Sequence, residues 1–232
     1  MDIDGNSRVL VVASHPDDEV LAMGGTIARF KDVGATVMVH FLGEGVSARF
    51  RPEEYGSDEF ILQGKVRENS ARRALKILKV DQVKFGDRLC CRFDSEDNLD
   101  IVKEIEQQIS EFKPTHLFTH NPIEVNIDHR LTYLAVEAAV RPKIGLSLKG
   151  IYSFEIVCSG NWTFDNQFKP NIYVDIENYW QDKIEAWRCY QGEARPFPFP
   201  RSDQGLETLA KFRGMQCGLM LAEGFKTLRM II

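Results

Sequence analysis

The sequence has few cysteines, no long apolar run and no excess of positive charge, and each shortage narrows the field. The five cysteines, Cys90, Cys91, Cys158, Cys189 and Cys217, are odd in number and never form a C-x-x-C pair. They read as reduced thiols of a cytoplasmic protein rather than a disulfide framework. Cys90 and Cys91 are adjacent and poorly placed to chelate one ion together. No apolar run approaches the roughly 20 residues of a membrane span. The 29 basic and 34 acidic residues leave a net charge of −5, which argues against a nucleic-acid backbone as partner. The opening Met1-Asp2-Ile3-Asp4-Gly5-Asn6 is acidic and polar, unlike a signal peptide. There is no internal repeat, no low-complexity tract and no linker that would separate domains. A dinucleotide fingerprint is also missing, because Gly24-Gly25 is not G-x-G-x-x-G and falls inside a helical pattern.

What remains is ordinary globular composition, 44% hydrophobic and 27% charged over 232 residues. That suits one α/β domain, here taken as residues 1–232. Arg8 to Ala13 is an apolar run that reads as a buried strand, and Val20 to Lys31 reads as a helix. Strands are expected at Ala35–Leu42, Val80–Phe85 and Thr115–Thr119. Helices are expected at about Phe60–Leu78 and Asn98–Phe112. The alternation β-α-β-α-β-α-β with short connections predicts a Rossmann-like, mostly parallel sheet with helices on both faces.

In the Phe60 helix an apolar stripe of Leu62, Val66, Ala71, Leu75 and Leu78 is expected to face the core. Leu131, Leu134, Ala135 and Ala138 are the expected buried face of a helix that Arg141-Pro142 ends. Arg51 to Asp58 reads as a polar, mobile segment. Later strands are expected at Ile151–Ile156, Trp162–Phe164 and Asn171–Ile176. A helix from Glu177 to about Tyr190 follows, then the non-helical Arg195–Arg201 stretch. Ser202 or Asp203 caps a last helix to about Leu221, with Gly214 and Gly218 allowing close packing on a neighbour.

The chemistry concentrates in two turns. Ser14-His15-Pro16-Asp17-Asp18-Glu19 joins the first strand to the first helix. In an open α/β sheet that turn lies where ligands bind. An imidazole and three carboxylates crowded there are costly unless a cation organises them, and both group types ligate zinc or iron. The second stretch, His120-Asn121-Pro122-Ile123-Glu124-Val125-Asn126-Ile127-Asp128-His129-Arg130, follows the fourth strand and opens another helix. Both turns therefore belong to one edge of one sheet. Duller readings stand beside these: His15 as a core histidine, Asp17 or Asp128 as a helix cap, Glu19 as a partner of the helix dipole. His40 and His116 fall inside strands and read as core or sheet-edge histidines.

His-Pro-Asp-Asp-Glu after an apolar strand, followed by Gly-Gly, resembles the signature of the LmbE-like, or PIG-L, N-deacetylase family. The likeness extends through Asn126-Ile127-Asp128-His129-Arg130 and, more weakly, through Phe168–Ile176, Pro200-Arg201-Ser202 and Arg213-Gly214. It implies a metal-dependent hydrolase that releases acetate from an N-acetylated amino sugar or sugar conjugate, nucleotide-linked ones included. His15, Asp18 and His129 would be the metal ligands. The metal would be zinc, with iron(II) or cobalt(II) also able to occupy a His/His/Asp site. Asp17 would be the general base on the attacking water, and Asp128 would orient His129 or another imidazole. Many members carry a histidine where this chain has Asn126, which would help position the oxyanion while Asp17 returns the proton. His120 is the other candidate acid.

Glu44, Arg49, Arg67, His120 and Arg201 are expected to contact substrate, Arg67 from a helix resembling one that points into the family's site. Guanidinium suits hydroxyls, phosphate or carboxylate. Residues 151–232 would shape the substrate region. The partner expected is a small-molecule sugar, and a homo-oligomer is left open. The rival readings are an amidase for a larger acyl group and a non-catalytic sugar- or nucleotide-binding module.

Overall fold

A computed structural model describes residues 1–160 and 162–232. Seven strands among the described residues form one sheet: β1 (Arg8–Ala13), β2 (Thr36–Gly43), β3 (Gln82–Arg88), β4 (His116–Thr119), β5 (Gly150–Phe154), β6 (Ile172–Asp175) and β7 (Ala222–Met230). Their order is β3-β2-β1-β4-β5-β7-β6. The first five pair in parallel, and β7 runs antiparallel between β5 and β6. β1 pairs with β2 on one side and β4 on the other. The two chemical turns therefore leave neighbouring strands at the same sheet edge. Strand order reverses between β1 and β4, which is where open α/β sheets bind ligands.

Among the described residues six helices cover the sheet: α1 (Asp18–Asp32), α2 (Asp58–Ile77), α3 (Asn98–Phe112), α4 (Ile127–Ala139), α5 (Trp180–Trp187) and α6 (Asp203–Met215). Alternate residues of β1 feed two cores. Val9, Val11 and Ala13 join the cluster with Ile27, Phe41, Phe118 and Trp187, while Leu10 and Val12 join the one with Ile101, Ile105, Leu117 and Val136. The inward face of α3 carries Ile101, Val102, Ile105, Ile109 and Phe112, all buried. Among the described residues no helix is long and apolar enough to cross a membrane.

α1 is two helical pieces joined at Met23, whose φ is −149°. The break is held from β7 and α5. The Glu223 carboxylate accepts from the amides of Gly25 (3.1 Å) and Thr26 (2.7 Å). Lys183 Nζ donates to the Leu21 carbonyl (3.0 Å) and pairs with Glu223. Amides freed at the start of the second piece thus meet an anion, and a carbonyl at the end of the first meets a cation. Gly25 is required by packing: a Cβ there would sit 2.8 Å from Ile176 Cβ.

Several local expectations need correction. α2 starts at Asp58, capped by Ser57, whose side chain accepts from the Phe60 amide. Leu62 and Val66 are exposed, and its buried residues are Arg67, Ser70, Ala71, Ala74 and Leu75. The inward face of this helix is partly polar because it meets the site. The buried face of α4 is Thr132, Ala135, Val136 and Ala139, one position round from the expected one, and Leu134 is exposed. Trp162–Phe164 is not a strand, and α6 ends at Met215. Gly214 packs against the carbonyls of Leu219 and Met220 in its own return loop, not against a neighbouring helix. The Arg51–Asp58 segment contains a short 3-10 turn pinned by Glu54, which accepts from the Arg51 amide (2.7 Å). β7 was not anticipated at all.

Candidate active site

His15, Asp18 and His129 offer one ligand atom each within 4.8 Å of one another, and all three are buried. His129 Nε2 lies 3.4 Å from Asp18 Oδ1, and His15 Nδ1 lies 3.7 Å from Asp18 Oδ2. The outward nitrogens are already engaged. His15 Nε2 is 2.8 Å from Asp128 Oδ2, and His129 Nδ1 is 3.3 Å from Glu124 Oε2. A neutral imidazole carries one N–H, so the bond to a carboxylate sets the tautomer. With the proton on the nitrogen facing its carboxylate, each ring turns a lone pair toward ionised Asp18. Three electron-rich atoms then converge with no proton between them, which is the arrangement that a cation stabilises.

The electrostatics agree for Asp18 and His129, whereas at His15 burial lowers the pKa but the Asp128 bond and the Asp18 charge prevail and raise it. Burial pushes Asp18 up, but His129, His120 and His15 outweigh it and hold the carboxyl well below its usual range. Burial holds His129 down at about 4, so it stays a neutral donor. Burial also pushes Glu124 to about 7. A cation selects the form in which Glu124 is ionised and His129 Nδ1 carries the proton. Metal ligands must be deprotonated in this way to bind.

Asp128 is placed by its surroundings. Its two oxygens accept from the Cys91 and Phe93 amides, and Cys91 takes a positive φ of 59° in making that turn. The imidazole Asp128 meets is that of His15, not His129. The helix cap is Asn126, whose Oδ1 accepts from the Asp128 amide at 2.9 Å.

Asp17 is not a capping side chain. It precedes α1 with φ 130° and makes no cap bond. That conformation is rare for a side-chain-bearing residue and costs on the order of 1–3 kcal/mol. It is over-determined locally: the Asp17 amide donates to Glu19 Oε2 (3.0 Å), and Tyr190 donates to Glu19 Oε1 (2.6 Å). The Asp17 carboxylate lies 3.3 Å from both Arg67 Nη1 and Arg201 Nη1. Burial pushes it up to about 6 against the pull of those two arginines. Glu19 goes up to about 8, again by burial.

The remaining expected residues divide. Arg67, buried, and Arg201, half-buried, reach Asp17 and so border the site. Arg67 also donates to the carbonyl of Gly45, whose φ of 79° turns the loop toward it. Arg49 stands farther out, paired with Glu193. The Glu44 carboxylate accepts from the amides of Val46, Ser47 and Cys90 and so shapes the loop. His120 has no exposed surface. Its Nε2 accepts from the Ser14 amide (3.0 Å), and its ring stacks on His129 with centroids 4.0 Å apart. Burial holds it down at about 4. It also belongs, with Glu124 and His129, to a second buried group of ligand atoms within 4.8 Å of one another. His40 is a core histidine bonded to Glu104, as expected of a strand position.

Sequence reasoning missed Glu124, Tyr190 and Glu193. Glu124 had a signal, since it lies in the same turn as His129. Tyr190 and Glu193 reach the site only through tertiary packing. Beside Glu124 an open cavity of about 500 Å³ is lined by Val125, Arg130, Trp162 and Phe164.

A family model described as PIG-L, GlcNAc-PI de-N-acetylase, matches residues 10–140. The chain is 27% identical over 228 residues to a diacetylchitobiose deacetylase of Thermococcus kodakarensis, covering 94% of this chain and 82% of that one. Among solved structures, an N,N'-diacetylchitobiose deacetylase from Pyrococcus horikoshii superposes with a TM-score of 0.76 at 22% identity, over 96% of this chain and 84% of that one. The 4-carboxy-2-hydroxymuconate hydratase of Pseudomonas putida superposes with a TM-score of 0.77 at 21% identity, over 98% of each chain. The fold thus hosts more than one chemistry, and the reaction must be argued from the site.

Proposed function

The chain belongs to the PIG-L family, and from that footing we propose that it is a zinc-dependent hydrolase that removes the acetyl group from an N-acetylated amino sugar or sugar conjugate, releasing acetate. The observation that carries the reading is the convergence of His15, Asp18 and His129 lone pairs beside a carboxylate, Asp17, that neither ligates nor caps. Two imidazole nitrogens and one carboxylate oxygen fit zinc, and iron(II) or cobalt(II) would be accommodated by the same donors. When bound, such an ion supplies a Lewis acid for the acetamide carbonyl and lowers the pKa of water.

The protein's own groups do the rest. Asp128 and Glu124 hold the two imidazoles in the donating tautomer. Asp17 takes the proton of the attacking water at its carboxylate and returns it to the departing amine. Arg67 and Arg201 fix that carboxylate in place. The Asn126 side-chain amide donates to the carbonyl oxygen as it becomes an oxyanion. Residues 151–232 shape the substrate region, a role supported by the reach of Tyr190 and Arg201 to the Asp17 turn and of Glu193 to Arg67. The deacetylase names of the T. kodakarensis and P. horikoshii relatives support the same substrate class.

The test is Asp17→Asn. Loss of a positioned general base lowers kcat by about 10²–10⁴, while metal content by mass spectrometry stays at the wild-type level. Unchanged acetate release, or loss of the metal along with activity, contradicts the role given to Asp17.

A further inference from the structure

Three arginines converge on one carboxylate next to the site. Arg67 and Arg49 both pair through Nη2 with Glu193 Oε1, and Arg201 Nη1 lies 3.9 Å from Glu193 Oε2. Glu193 sits in the turn after α5, where its amide donates to the Tyr190 carbonyl (2.9 Å). Its side chain is only 11% exposed, against 52% for Arg49. Arg49, Arg67 and Arg201 supply three cations, while Glu193 and Asp17 supply two anions. Each guanidinium carries five donors, so a single carboxylate leaves donor capacity over. Arg49 contributes one ion pair here and nothing to the Asp17 turn. A cavity of about 50 Å³ runs beside the cluster, lined by Val46, Arg49, Arg67, Ser70, Tyr190 and Glu193. A permanent strut would need neither the third guanidinium nor the space.

We propose that Glu193 is an internal stand-in for an anionic substituent of the substrate. A phosphate or carboxylate on the sugar takes over Arg49, Arg67 and Arg201, and the Glu193 turn swings outward. Planar guanidinium forks bind both anions in two-point geometry. Because Arg67 and Arg201 also hold Asp17, the same anion registers the sugar against the base. Neutral sugars leave Glu193 in place and gain nothing from the cluster. The sugar's position in this scheme rests on the deacetylase reading, whereas the anion site itself does not.

The experiment has two readouts. Calorimetry measures inorganic phosphate binding to the wild type, Glu193→Gln and Arg49→Met. Steady-state acetate release measures KM for N-acetylglucosamine, its 6-phosphate and N-acetylmuramic acid. Removing the competing carboxylate in E193Q tightens phosphate by about tenfold, and R49M at its exposed position weakens it. The KM ratio of neutral to charged sugar rises in E193Q and falls in R49M. A preference for the 6-phosphate assigns the site to phosphate, and a preference for N-acetylmuramic acid assigns it to carboxylate. Tighter phosphate in E193Q with no acetate from any sugar upholds the anion site while the deacetylase reading fails. Acetate release with equal KM ratios in all three proteins, and no phosphate binding, overturns the inference and leaves Glu193 a strut.

Discussion

Replacing Glu223 by leucine tests how the broken first helix is held. The carboxylate accepts from two amides in the middle of α1 and pairs with buried Lys183. Leucine keeps the volume and removes all three interactions. An ammonium whose side chain is only 5% exposed is then left without its anion. Breaking a buried pair by deleting one partner costs about 3–5 kcal/mol. For a chain of this size each kcal/mol is worth about 2–4 °C in Tm, so Glu223→Leu should melt roughly 6–20 °C lower. Lys183→Met in the same background removes the stranded charge. The double variant should therefore recover stability, with a coupling of at least about 1 kcal/mol in the cycle. Calorimetry gives the Tm values, and hydrogen exchange at the Gly25 and Thr26 amides gives a local reading. Faster exchange at those amides is expected even in native conditions. A Tm within about 2 °C of wild type with those amides still protected would refute the argument, as would simple additivity in the double variant.

Four other outcomes follow from the geometry. Asp128→Asn leaves His15 without its carboxylate, and metal affinity in a chelator competition should fall about 10–100-fold. Glu124→Gln should do the same through His129. Gly25→Ala forces a Cβ to within 2.8 Å of Ile176, and overpacking of this kind costs about 1–3 kcal/mol in urea unfolding. Glu104 is held down at about 2: burial raises it, but bonds from His40 and Arg88 prevail. A carboxyl depressed in the fold lends stability above its unfolded value, near 4.5, which disappears as pH falls toward 2. Unfolding at pH 6 and pH 3 should show this loss in the wild type and a shallower one in Glu104→Gln.

The parts of the site that were legible are those written locally. His15, Asp17 and Asp18 lie in one turn, and His129 opens a helix after a strand, so strand order alone brings them together. Where reading failed, the cause was tertiary. The inward face of α2 carries Arg67 and Ser70 because it meets Asp17 and Glu193. A search for apolar periodicity therefore selected Leu62 and Val66, which are exposed. β7 alternates half-buried and exposed residues only over its second half, while Ala222–Phe225 are all buried, so no single period marks the strand. Asp17 had a cap reading beside the base reading, and its φ and the lack of a cap bond remove the cap. Glu193 belongs to a turn whose meaning depends on Arg49 and Arg67, both far away in sequence.

The most direct measurement is acetate release from a panel of N-acetylhexosamines and their phosphate and nucleotide conjugates, using protein as purified, after chelation, and after adding zinc back. The account predicts release that disappears with the metal and returns with zinc. Release that persists in fully chelated protein, or none from any sugar while one zinc stays bound per chain, would contradict it.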